Sequence, residues 1–195
     1  MKRTLLPAVL LVTVTLSAGL LAAQVPSPSW QIAAAVLPLP DSMRSGAEVL
    51  GYKTAGGPLV QLRAGTNGMI CLADDPTAEG YAAHCYQHSL AQFMARGREL
   101  RAAGVTKKSE VDSARLAEIK AGTLKMPTGG AALYSLYSDS LDFDPMAGPP
   151  KHAGRLLSFY LPYATQATTG ISELPLPDQP WLMYPGKPWA HLMIQ

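Results

Sequence analysis

Hydrophobic and polar positions change period several times along the chain, and each change marks an element. Trp30 to Leu37 is a β-prone apolar run closed by Pro38 and Pro40. Val49 to Lys53 and Pro58 to Arg63 flank Thr54-Ala55-Gly56-Gly57, a Gly-containing hairpin loop, and Ala64 to Gly68 turns the chain into Met69 to Ala73. These three runs read as a meander. Beyond Asp75-Pro76 the period lengthens: Leu90, Phe93, Met94, Gly97 and Leu100 share one helical stripe, with Ser89 and Gln92 spaced as a capping box and Gly104 as the stop. A second helix is expected from Ser109 to Ala121. Ala131 to Tyr137 and Arg155 to Tyr163 return to strand chemistry, and the second is apolar on both pleat faces, as a central strand requires. Ser138 to Gly154 is acidic, Pro-rich and without pattern. Leu174 to Pro188 carries five prolines and reads as an extended crossing before a last strand, Trp189 to Ile194. The sum is an α+β fold: a mainly antiparallel sheet of about seven strands with two mid-chain helices.

The first 23 residues stand apart. Met1-Lys2-Arg3 is a positive start, Leu5 to Leu21 an uncharged apolar run, and Ala22-Ala23 a small-residue exit. This order predicts a cleavable export signal over residues 1–23, a periplasmic or extracellular destination, contact with a membrane only in transit, and a single domain over 24–195. An uncleaved anchor is the rival reading. The repeated pentapeptides Leu37 to Asp41 and Leu174 to Asp178 have unrelated surroundings and signify no duplication.

Composition narrows the function classes. The 195 residues are 48% hydrophobic and 15% charged, which excludes a solvated disordered chain. Two of the 16 basic residues, Lys2 and Arg3, precede position 24 while all 14 acidic residues follow it, so the remainder is charge-balanced and implies no nucleic-acid partner. Between Arg96 and Lys125 basic residues exceed acidic ones, the mark of a solvated helical face or of a surface for an acidic ligand. No Gly-rich phosphate loop or dinucleotide fingerprint is present, and no cofactor is called for.

Cys71 and Cys85 in an exported chain predict a disulfide. Their neighbours offer an alternative, because His84 and His88 would share a helical face as two metal ligands; the glutamate of a metalloprotease helix is missing, since Cys85 occupies its place. His152, in the loop after Pro150, and His191, on a face with Trp189 and Met193, complete the catalytic candidates His84, His88, His152 and His191 for a hydrolase that pairs histidine with a carboxylate. No Gly-x-Ser-x-Gly elbow nominates a nucleophile. Asp139, Asp142 and Asp144 are candidate Ca²⁺ ligands or a solvated loop; Asp74, Asp75 and Glu79 form a second acidic group. Trp181, Tyr184 and Trp189 bracket Pro185-Gly186 and are candidate ligand-binding rings, or the cover over one end of the core.

Met69-Ile70-Cys71-Leu72-Ala73-Asp74-Asp75-Pro76, the Phe93 to Arg101 helix and Pro188-Trp189-Ala190-His191-Leu192-Met193-Ile194 together resemble a group of exported bacterial proteins without assigned function. The resemblance implies a bacterial exported origin and adds no site residue. The reading that follows is a binding or accessory module for a small molecule or a protein partner, with a hydrolase and a metal-binding protein as alternatives.

Overall fold

The computed structural model describes residues 24–195, so the export signal expected at Met1–Ala23 lies outside the described residues. The first element departs from the sequence reading. Residues expected to extend from Trp30 instead form helix α1, Pro28–Ala35. Ser27 accepts a hydrogen bond from the Trp30 amide as N-cap, and Pro28 sits where its missing N–H costs nothing and its fixed φ already suits the helix. The alanines at 33–35 bring high helix propensity, which outweighs the β preference of Trp30 and Ile32. The chain then turns through Leu37-Pro38-Leu39 into the one-turn helix α2, Asp41–Arg44.

Eight strands follow: β1 Glu48–Gly51, β2 Val60–Arg63, β3 Met69–Leu72, β4 Tyr81–Gln87, β5 Ala131–Ser138, β6 Gly154–Tyr160, β7 Trp181–Met183 and β8 His191–Ile194. They form one sheet in the order β2-β1-β3-β4-β5-β6-β8-β7, antiparallel throughout except for β1 beside β3. The expected meander is therefore wrong in topology: β2 folds back to the outside of β1, and β3 enters on the other side, parallel to β1. Two strands carried no clear pattern. Tyr81-Ala82-Ala83-His84-Cys85-Tyr86 hides its alternation behind alanines, and β7 is three residues inside a proline-rich run. The two-sided apolar strand β6 lies between β5 and β8, as its pattern requires.

Cys71 and Cys85 are paired, as expected, directly opposite each other on β3 and β4 with Cα atoms 4.0 Å apart. Such a bond points to an oxidising, non-cytoplasmic compartment. The register extends the row across the sheet as Val49, Cys71, Cys85, Tyr134, Leu157 and Ile194, all on one face. Helix α1 and the turn after it cover this face over β1, β3 and β4, packing Ala35, Val36 and Leu39 onto Val49, Cys71 and Cys85. A smaller cluster of Ala164, Leu182 and Ala190 closes the same face at the far end.

The opposite face is covered by α3, Ala91–Ala102, and α4, Lys108–Lys120. Phe93 of α3, with Leu90 just before that helix and Leu124 just after α4, is buried against Ile70, Tyr86, Ala131 and Tyr160, and Val111 is the buried apolar residue of α4. The capping box expected at Ser89 does not form. A 3-10 turn, His88–Leu90, precedes α3, and the Gln87 side chain accepts from the Ser89 amide instead. The basic excess here is largely a solvated face: Arg96 pairs with Glu99 and Glu118, Lys107 with Glu110, and Lys108 with Asp112. Arg115 is the exception. It is buried beside Gly97, with its guanidinium 4.0 Å from the centre of the Phe93 ring and its Nε without a hydrogen-bond partner.

Candidate functional site

The four histidines occupy four separate environments. His84, on the α3/α4 face of β4, places Nδ1 3.0 Å from the Ser135 hydroxyl and stands edge-on to Tyr137. Burial alone lowers its pKa, and no carboxylate contributes. His88 is exposed in the 3-10 turn. Because the intervening chain is strand rather than helix, His84 and His88 are separated by about 13 Å of extended backbone, too far to share a metal ion. His152 is exposed in the β5–β6 loop at φ +60°. His191 is buried and stacked on Tyr160 at 4.7 Å; its Nδ1 lies 2.8 Å from the Trp189 carbonyl, which only accepts, so Nδ1 carries the proton. Burial lowers its pKa, with Lys108 acting in the same sense and the Trp189 hydrogen bond opposing. Lowered histidine pKa values keep these rings neutral in the fold. Their contribution to stability is present above the ordinary value of 6.5 and is lost as pH falls below it.

The acidic groups hold turns. Asp75 accepts from the amide and hydroxyl of Thr77, and Asp144 from the Met146 amide. Asp139, Asp142 and Glu79 are exposed. Among the described residues no three His, Cys, Asp or Glu side chains come together to hold a metal ion. The rings near Pro185 belong to the core end: Trp189 is 5% exposed and stacks on Phe93, and Tyr184 packs on Trp189 and His191. Trp181 lies apart on β7, half-buried, on the sheet face of His191 and Met193.

Asp74 is the acidic residue with a strongly displaced pKa. It accepts from the Ala82 amide at 2.9 Å, while burial lifts its carboxyl to about 6 and Asp75 adds to the rise. A raised acid is penalised in its ionised form, so the penalty is absent below the ordinary 3.8, grows between 3.8 and about 6, and is complete above that. A shift of this size corresponds to about 3 kcal/mol, which partial solvent exposure reduces to about 1. Asp74→Asn keeps an acceptor for Ala82 and removes the charge. Urea unfolding should show it more stable than the parent by about 1 kcal/mol at pH 7.5, with the gain gone at pH 4; a gain that does not change with pH would sink this account.

The candidate site is built by residues other than the four histidines. Cover over the disulfide face ends with α1 on one side and resumes at Ala164 on the other, which leaves β5 and β6 beneath a gap. The gap is a cleft of about 490 Å³ between the Pro38–Arg44 segment and the sheet. Tyr134, Leu157 and Ile194, consecutive members of the transverse row, line its sheet side. Ile194 is 39% exposed, a large apolar side chain left open to water. Prolines 38 and 40 stiffen the opposite wall, with Leu39 turned inward to the core at 1% exposure.

Two guanidinium groups enter this cleft. Arg44 donates through Nε to the Leu39 carbonyl at 2.9 Å and through Nη2 to the Leu37 carbonyl at 3.3 Å, and its Nη1 pairs with Asp41 at 2.8 Å. Arg155, from the start of β6, reaches the Leu37 and Pro38 carbonyls only at 3.5 Å, the outer limit of a hydrogen bond, and makes no ion pair among the described residues. Both arginines thus meet at one carbonyl, that of Leu37. Neither was singled out from the sequence, where Arg44 and Arg155 lie 111 positions apart with no motif around them. No family model, curated protein or solved structure matches the chain.

Proposed function

We propose that this protein is an exported binding or accessory module, and that its ligand sits in the cleft between Pro38–Arg44 and the β5–β6 surface. One observation carries the reading: the cleft is within the size range of small-molecule sites, has an apolar row along one side, and has convergent polar groups at one end, without a histidine in its lining. That is the chemistry of retention rather than turnover. The disulfide supports an oxidising destination, and the leader Met1–Ala23 supports export as the route to it.

The hydrolase reading rests on the His84–Ser135 contact. A serine nucleophile needs its histidine oriented and charge-stabilised by a third group, and the burial-only shift of His84 argues that no carboxylate fills that role.

The probe is 8-anilinonaphthalene-1-sulfonate, which joins apolar rings to an anion. Native protein should bind one equivalent saturably, and Leu157→Glu should weaken binding at least tenfold while far-UV circular dichroism is unchanged. Binding unaffected by Leu157→Glu overturns the site. Turnover of a p-nitrophenyl ester that disappears in His84→Ala favours the hydrolase instead.

A further inference from the structure

We infer that the cleft selects a ligand with a single anionic head, a carboxylate or a phosphate, on an apolar body, and that Arg155 is the residue that takes the head. This inference rests on the binding reading above and names the class of ligand. Its basis is the inequality between the two arginines. Arg44 spends its guanidinium on the Leu37 and Leu39 carbonyls and on Asp41, so it is a fixed part of the wall. Arg155 approaches the Leu37 and Pro38 carbonyls at 3.5 Å with a single nitrogen, Nη1, and its remaining donors have no partner among the described residues.

A guanidinium presents paired N–H groups in a plane that matches the two oxygens of a carboxylate or phosphate, and charge-assisted bonds of this kind are about twice as strong as neutral ones. The local charge balance agrees. Two guanidinium groups face one carboxylate, Asp41, and that side chain is 90% exposed, so water already satisfies much of it. Beyond Arg155 the row Tyr134, Leu157 and Ile194 continues without a charged side chain, which suits an apolar tail lying along the sheet. A cationic head would meet Arg155 unfavourably, and a neutral head would offer this solvent-exposed guanidinium no charge-assisted bond.

The test is isothermal titration of the full oxidised protein with four twelve-carbon probes below their micelle concentrations: dodecanoate, dodecyl phosphate, dodecanol and dodecyltrimethylammonium. At least one anionic probe should bind tenfold or more tightly than dodecanol, and the cationic probe should be weakest. Shortening the better anion by one methylene should reduce affinity by about fourfold. Arg155→Gln should bring the better anion to within about twofold of dodecanol when both are measured on the same variant. Asp41→Asn, which removes the competing carboxylate, should strengthen anion binding several-fold. A preference for dodecyl phosphate assigns the site to a lipid-type headgroup; a preference for dodecanoate assigns it to a free acid.

Equal binding of dodecanoate, dodecyl phosphate and dodecanol overturns the headgroup inference and leaves the binding reading standing. Failure of every probe to bind overturns both. Anion binding that survives Arg155→Gln at full strength assigns the head to another residue and overturns the role of Arg155.

Discussion

Replacing Cys71 and Cys85 together by alanine should lower the unfolding free energy by about 3–5 kcal/mol. The bridge joins residues 14 apart, and closing a loop of that length restricts the unfolded chain by about 3 kcal/mol in the entropy estimate. Packing adds to this. Both cysteines are at 0% exposure between Val49 and Tyr134 in the transverse row, beneath Ala35 and Leu39, so each lost sulfur leaves a small void worth about 1 kcal/mol. Tyr134 and Leu157 are the next positions in that row, and Tyr134 packs against the cluster that contains the disulfide. The double variant should therefore bind the anilinonaphthalene sulfonate probe more weakly even where it remains folded. Urea unfolding of oxidised parent and variant gives the comparison directly; a loss below 1 kcal/mol would show that the β3–β4 pairing holds this region without the bond.

The sheet and the two long helices were legible because their signals are local. Stripes at helical spacing mark α3 and α4 within a residue or two, and β5 and β6 are long runs of apolar and aromatic residues. The disulfide was legible from compartment chemistry. Helix α1 was misread because the apolar run from Trp30 was weighed without the Ser27-Pro28 pair before it, and that pair is a start signal in two residues. Strand β4 was missed because Ala82 and Ala83 give no contrast between the two faces, and the parallel placement of β3 beside β1 has no local signature at all. The cleft was illegible for the same reason. Its arginines come from α2 and β6, its apolar row from β5, β6 and β8, and only the strand order brings them together. The histidines draw attention because their chemistry is versatile, yet His191 is buried by packing, His84 is half-buried on the sheet, and His88 and His152 face solvent in turns.

Gln31 shows what a single polar residue in an apolar run does. It is 2% exposed, and its amide mimics a neighbouring strand: Nε2 donates to the Tyr52 carbonyl at 2.9 Å, while Oε1 accepts from the Tyr52 amide at 2.8 Å. Nε2 also donates to the Pro26 carbonyl at 2.8 Å. One side chain thus fastens α1 both to the chain just past β1 and to its own leading segment. Gly51 makes the approach feasible, because a Cβ there would stand 2.5 Å from Oε1. Gln31→Leu keeps the volume and removes every bond, leaving the Tyr52 amide and two carbonyls without these partners. The expected cost is about 2–4 kcal/mol, since an unsatisfied buried group costs about 1–3 kcal/mol and the outermost carbonyl recovers some water. Gln31→Glu separates the contributions. It retains an acceptor for the Tyr52 amide but sets a carboxylate against the Tyr52 and Pro26 carbonyls, so at pH 7 it should be at least as destabilising as leucine and should recover part of the loss on acidification, when the protonated acid donates again. Thermal unfolding of both variants between pH 4 and 7 distinguishes this from a simple packing role. A leucine variant as stable as the parent would mean that the clasp is geometric only and that α1 is held by Ala34, Ala35 and Leu39 alone.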